Sequence, residues 1–333
     1  MTTFQDCSIG FAKESTYGTG VTPTRFLEFV DESLDFNKTI VQGKGLRVGS
    51  RVARSGRRVV PTADAGGDFS LEVASKGLGL LWEFLMGSGA SALVSASTYQ
   101  QVFTFGDTMP SATFQKGLPR VDGTVDAYTF LGCTCDSWEL EFGNADIPLL
   151  KVTTDAKDVT TGTAYATPSY PSGANLFTFA GGAISTGTLT APTSTALASA
   201  ATPLANVRSG SVKVSHNPAT SRFNFGGGGR KAKPTTGMRE ITGSLTVEYD
   251  STAFRDAVLN ETPMSLVLTY TGGALGTGNE TLQVVIPEAK FDGKLPAANG
   301  GELITVDMGF TGLDNLVAAQ PLWVVARTAD NAL

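Results

Sequence analysis

The chain has 333 residues, enough for a buried core and, as a length prior, about two domains. Hydrophobic residues make up 41% and charged residues 17%, which excludes a disordered chain, and a formal net charge of −6 argues against tight non-specific nucleic-acid binding. Cys7, Cys133 and Cys135 are too few and too uneven for a disulfide framework, and no stretch has the roughly 20 apolar residues of a membrane-spanning helix. The N-terminus lacks a signal-peptide pattern, so synthesis in a reducing cytoplasm is expected. The 39 glycines, with abundant Thr, Ser, Ala and Val, predict many short strands joined by turns.

In chain order, residues 8–24 read as polar and turn-rich, followed by a strand over 25–36. Residues 38–63 form a long basic segment. It carries Lys44, Arg47, Arg51, Arg54, Arg57 and Arg58 without an acidic residue between 38 and 58. Phe69, Leu71 and Val73 alternate, which predicts a strand over 67–73 with one buried face. A helix is expected over 74–86, because Leu78, Leu81, Trp82 and Leu85 form one apolar stripe, and Gly87 should stop it. Further strands are predicted over 101–105, 129–135, 137–142 and 147–154. Residues 158–203 are rich in Thr, Ala, Ser, Gly and Pro and read as connector, with a short strand at 175–179.

The second half repeats this order. A strand over 206–215 precedes a basic, Gly-rich segment, 216–237, with Arg222, Arg230, Lys231 and Lys233. Residues 243–249 match 67–73 in character, and a helix over 251–260 should pack Phe254 and Val258 inward, with Ser251 as its N-cap. Strands over 266–270, 281–286, 289–295 and 302–310 complete it. The division expected is 1–158 as one unit, 159–204 as connector and 205–333 as a second unit.

Catalytic and metal chemistry find little support. His216 is the only histidine; it stands beside Asn217 and Pro218 and reads as a loop residue. Cys133 and Cys135 lack a second ligand pair and read as small buried hydrophobes. Glu139 and Glu141 alternate along one strand face, as on many solvated sheets. Gly226 to Gly229, before Arg230 and Lys231, lacks phosphate-loop spacing and reads as a mobile loop. No cofactor is expected. The basic segments fit arms that pair with carboxylates on a neighbouring copy, since arginine binds carboxylates through a planar fork.

Several stretches resemble one family. They are Ile9-Gly10-Phe11-Ala12-Lys13-Glu14-Ser15-Thr16-Tyr17-Gly18-Thr19, then Pro23-Thr24-Arg25-Phe26-Leu27-Glu28-Phe29, the runs 226–234 and 239–245, and Asn279–Gly293. Together they resemble the major tail tube proteins of siphophages, in the two-part form found in phages of actinobacteria. The resemblance implies a mainly β fold of two tandem β-sandwich or partial-barrel units, each with a flanking helix and a long loop. It implies a structural virion protein and not an enzyme, made in the host cytoplasm and placed in the virion tail. Inner strands would join between copies into a barrel around a lumen that DNA traverses without specific binding. Tape measure, tail terminator and distal tail proteins would be its partners, with no membrane involved. If each half supplies one tube unit, three chains make a pseudo-six-fold ring; hexameric rings are the alternative. A capsid-decoration or receptor-binding β protein would share the composition, and a carbohydrate-active enzyme or lectin is the other alternative.

Overall fold

The computed structural model describes residues 4–204, 206–249, 252–293 and 303–333. The first half contains β1 (Ser8–Lys13), β2 (Arg25–Leu27), β3 (Phe29–Glu32), β4 (Asp35–Gln42), β5 (Arg58–Glu72) and α1 (Gly79–Met86). It continues with β6 (Gly87–Ser95), β7 (Thr98–Phe105), β8 (Ala112–Pro119), β9 (Val125–Phe142), β10 (Leu149–Ala156) and β11 (Asp158–Thr160). The remainder holds β12 (Gly182–Thr190), β13 (Ser199–Leu204), β14 (Val207–Ser215), β15 (Glu240–Glu248) and α2 (Ala253–Leu259). It ends with β16 (Met264–Ala274), β17 (Asn279–Gly293), β18 (Thr305–Gly312) and β19 (Trp323–Thr328). The chain is mainly β, as expected.

A run of antiparallel strands organises the molecule: β4, β5, β10, β9, β14, β15, β18, β17. Its two faces follow from strand alternation. On one face Trp138, Leu140, Val152, Val214, Leu245 and Phe310 are buried. The helices cover this side, α1 packing on β9 and α2 on β17. Leu81, Trp82 and Leu85 are fully enclosed, and Trp82 meets Trp138 edge-on at 5.6 Å. Leu78, Phe254 and Val258 are partly buried against the same core, and Phe254 meets Phe291 at 5.4 Å. The other face carries Glu139, Glu141, Lys151 and Lys213.

The pairing order is the same in both halves. β5 lies between β4 and β10, and β10 joins β9; likewise β15 lies between β14 and β18, and β18 joins β17. The long strands β9 and β17 each bend. The first part of β9 runs between β8 and β11, and that of β17 between β16 and β19. One joint links these series directly, β9 to β14, with Ser137 opposite Ser215 and Trp138 opposite Val214. The β6–β7 hairpin is an addition in the first half, and β7 joins β19.

Several sequence expectations are corrected. Residues 8–13 form a buried strand, because the small Gly10 and Ala12 alternate with Ile9 and Phe11, which are wholly enclosed. The single strand expected over 25–36 is broken into β2, β3 and the start of β4. The helix begins at Gly79 and not at 74, since Gly77 has φ +79 and the Ser75 amide bonds to Asn175. Gly87 does stop it, at φ 97. The pairs of strands expected over 129–142 and 281–295 are the continuous β9 and β17, as far as Gly293. The strand expected at 175–179 is an isolated bridge from Leu176 to Ala74. The connector holds β12 and β13, which extend the edge of β16. Ser251, expected as an N-cap, lies outside the described residues, as do 294, 295 and 302.

Candidate assembly surfaces

The basic segment 38–63 is a projecting hairpin and not an open loop. β4 and β5 pair as far out as Gln42 and Arg58, the Gly43 amide bonds to Arg57 at 2.9 Å, and Gln42 Nε2 donates to the Arg54 carbonyl at 3.0 Å. Lys44, Arg47, Arg51, Arg57 and Arg58 are exposed and Arg54 is half-buried; none has an ion-pair partner among the described residues. The tip also displays apolar groups: Leu46 and Val48 are 100% exposed and Val52 80%. Large side chains so placed mark an interaction surface more often than isolated exposed residues do.

Segment 216–239 holds the matching place between β14 and β15, and it folds back onto the first half. Arg230 Nε donates to Asp158 at 2.7 Å, and its guanidinium lies 5.6 Å from the Phe36 ring centre. Lys231 is buried; its ammonium bonds to Asp155 and lies 3.7 Å from Asp64. Burial holds the Asp155 carboxyl above the usual carboxylate range, with Lys231 pulling it back. Gly229, at φ +73, lies where a Cβ would meet the Pro61 carbonyl, and its own carbonyl accepts from the Ala63 amide at 3.1 Å. Thus Gly226 to Gly229 lead into a docked turn and not the free loop expected. Arg222 donates to the Lys233 carbonyl at 2.6 Å, and Lys233 is half-buried.

The ends of this segment are anchored by His216 and Arg239. His216, expected in a polar loop, does lie outside the strands but is completely buried. Its Nε2 lies 2.8 Å from the Leu85 carbonyl, and its Nδ1 accepts from Arg239 Nε at 3.2 Å. Arginine only donates, so Nδ1 is bare and Nε2 carries the proton. Arg239 also donates to the Gly106 carbonyl and lies over the Phe105 ring at 4.9 Å. Burial first, and then the Arg239 charge, push the His216 pKa down from 6.5 to about 4.

The motif at 13–18 is structural as well. Glu14 is buried and accepts from the Gly18 amide, the Thr113 hydroxyl and the Gly132 amide, each at 2.8 Å. Gly132, φ +65, sits in the bend of β9 where a Cβ would meet the Tyr17 ring at 2.9 Å. Cys133 and Cys135 are buried beside this bend, and burial raises both thiols. Among the described residues no group of three or more His, Cys, Asp and Glu could hold a metal ion.

Two strand edges in the main run have no neighbour among the described residues: the outer side of β4, and the side of β17 beyond Ala289 that faces away from β18. Open edges of this kind template pairing with another chain. No curated protein matches the sequence. The family model described as phage tail tube protein matches residues 5–320, nearly the whole chain, and the chain therefore belongs to the phage tail tube protein family.

Proposed function

We propose that this chain polymerises into stacked rings that form the tube of a phage tail, the conduit for DNA, with each half supplying one tube unit and three chains closing a ring. The duplicated siphophage form is the variant that this reading fits. The observation that carries it is the β9–β14 joint. It links the two pairing series inside one chain and leaves β4 and β17 as free ends of the run. A heterologous contact of that kind generates a ring when its rotation closes. Closure removes both edges and produces a barrel.

The register of the internal joint transfers to the external one. Through their partners, Asp292 on β17 holds the position of Ser137 on β9. Asn37 on β4 holds that of Ser215 on β14. Ser137 faces Ser215, so Asp292 of one chain faces Asn37 of the next. The polar face of the run, with Asp68, Glu72, Glu139, Glu141 and Asp307 set against Lys151 and Lys213, becomes the lumen. An acidic excess there disfavours phosphate contacts, so DNA slides without sticking.

Cysteines at Asn37 and Asp292, in a Cys7→Ser background, test this. Oxidised tubes should run as a covalent ladder ending at three chains. Tubes that form without this cross-link would contradict the joint. A protein that stays a discrete small oligomer at every concentration would favour a capsid-decoration role.

A further inference from the structure

The two basic segments occupy the same place in the two pairing series, and one of them shows where the other docks. Segment 216–239 lies on the half whose β9 joins β14, meeting Asp158, Asp64 and Asp155 there. Gly67 and Gly243 open matched strand segments and pair with Thr154 and Phe310. Counting along the paired strands from these positions, Asp64 corresponds to Glu240, Asp155 to Thr311 and Asp158 to Asp314. The amides of Lys157 and Leu313, aligned by the same count, both bond back to the bend of the long strand, at Leu131 and Glu288, each at 2.9 Å.

The second-half surface at these positions is already shaped. Asp314 accepts from the Leu316 amide at 2.9 Å, and Asn315 accepts from the Val317 and Ala318 amides at 3.0 and 2.8 Å. Leu316 is held at φ 56, a conformation that a non-glycine side chain adopts only under constraint. The result presents Leu316 and Val317, each 89% exposed, beside Asp314, which has no ion-pair partner among the described residues. Thr311 replaces Asp155, so the buried ion pair is not repeated. What remains is exposed carboxylates around an apolar knob, the complement of a cationic arm with Leu46, Val48 and Val52 at its tip.

We propose that the turn 313–317, with Glu240 beside it, receives arm 43–57 of an adjacent copy, the one whose β4 adds to β17. This inference rests on the ring reading above. Arginine-rich arms and carboxylates give long-range attraction and orientation, and the apolar tip gives burial on contact.

Tubes grown from a mixture of isotopically light and heavy chains, carrying the photo-reactive residue benzoylphenylalanine at Leu316, test it. A second variant carries the probe at Val317, in case the first does not assemble. Cross-links from heavy chains to light peptides within 43–57 are expected. Tubes whose cross-links fall elsewhere, or only within one chain, would overturn the docking site and leave the ring intact. If the unmodified protein makes no tubes at all, the ring reading fails and the docking site fails with it.

Discussion

The two basic segments each join a matching pair of strands, β4 with β5 and β14 with β15, yet they meet different surroundings. Segment 216–239 has a neighbouring unit within its own chain. Its Arg230 and Lys231 are paired with carboxylates, the Gly229 carbonyl accepts from the Ala63 amide, and its ends are anchored by His216 and Arg239. Segment 38–63 has no such neighbour, so its cations stay unpaired and its apolar tip stays in water. Composition alone does not separate the two. What separates them is whether a matching surface lies within the same chain, and on the proposed ring reading the docked segment 216–239 indicates what segment 38–63 would meet on another copy.

The difference can be broken most severely on the docked side. Lys231→Ala removes the counter-charge at Oδ1 of the buried Asp155 carboxylate, whose Oδ2 has no hydrogen-bond partner among the described residues. Removing one member of such a pair costs about 3–5 kcal/mol. Urea denaturation should show this loss, and an unchanged midpoint would mean that the loop is not held by that pair.

A smaller effect comes from pH. His216 has its folded pKa depressed to about 4 from 6.5. Above the unfolded value neither state binds the proton, and the stability is complete. As pH falls between 6.5 and 4, the unfolded chain takes up a proton that the fold excludes, and stability declines. The total is on the order of 3 kcal/mol. His216→Gln should flatten the slope in that window. A slope unchanged by this substitution would assign the acid sensitivity to other groups.

The smallest effect on folding should come from the free arm. Arg54→Glu, Arg57→Glu and Arg58→Glu together alter residues without ion-pair partners among the described residues. At the exposed Arg57 and Arg58 each should change monomer stability by less than about 0.5 kcal/mol, with the half-buried Arg54 changing it somewhat more. Tube formation should nevertheless be impaired. Tubes of normal length from the triple variant would contradict the arm's role.

What the sequence disclosed followed its local patterns. Phe69, Leu71 and Val73 alternate and are buried, and the stripe of Leu81, Trp82 and Leu85 does face the core. The small-residue strand Gly87–Ser95 was not legible, because its side chains have weak strand preference and pairing with β7 sets its conformation. The burial of His216 was not legible for a related reason. Its neighbours Asn217 and Pro218 suggest solvent, whereas Leu85 and Gly106, which close its site with Arg239, are remote in sequence. The β9–β14 joint and the docked cations depend on contacts between halves, and no local period encodes them.

On the ring reading, the joint inside the chain is repeated between chains. Reconstruction of assembled tubes by electron cryomicroscopy, without imposed symmetry, tests it most directly. Three chains per ring are expected, with β17 of each beside β4 of the next. Six chains per ring, with one half standing outside the barrel, would contradict it.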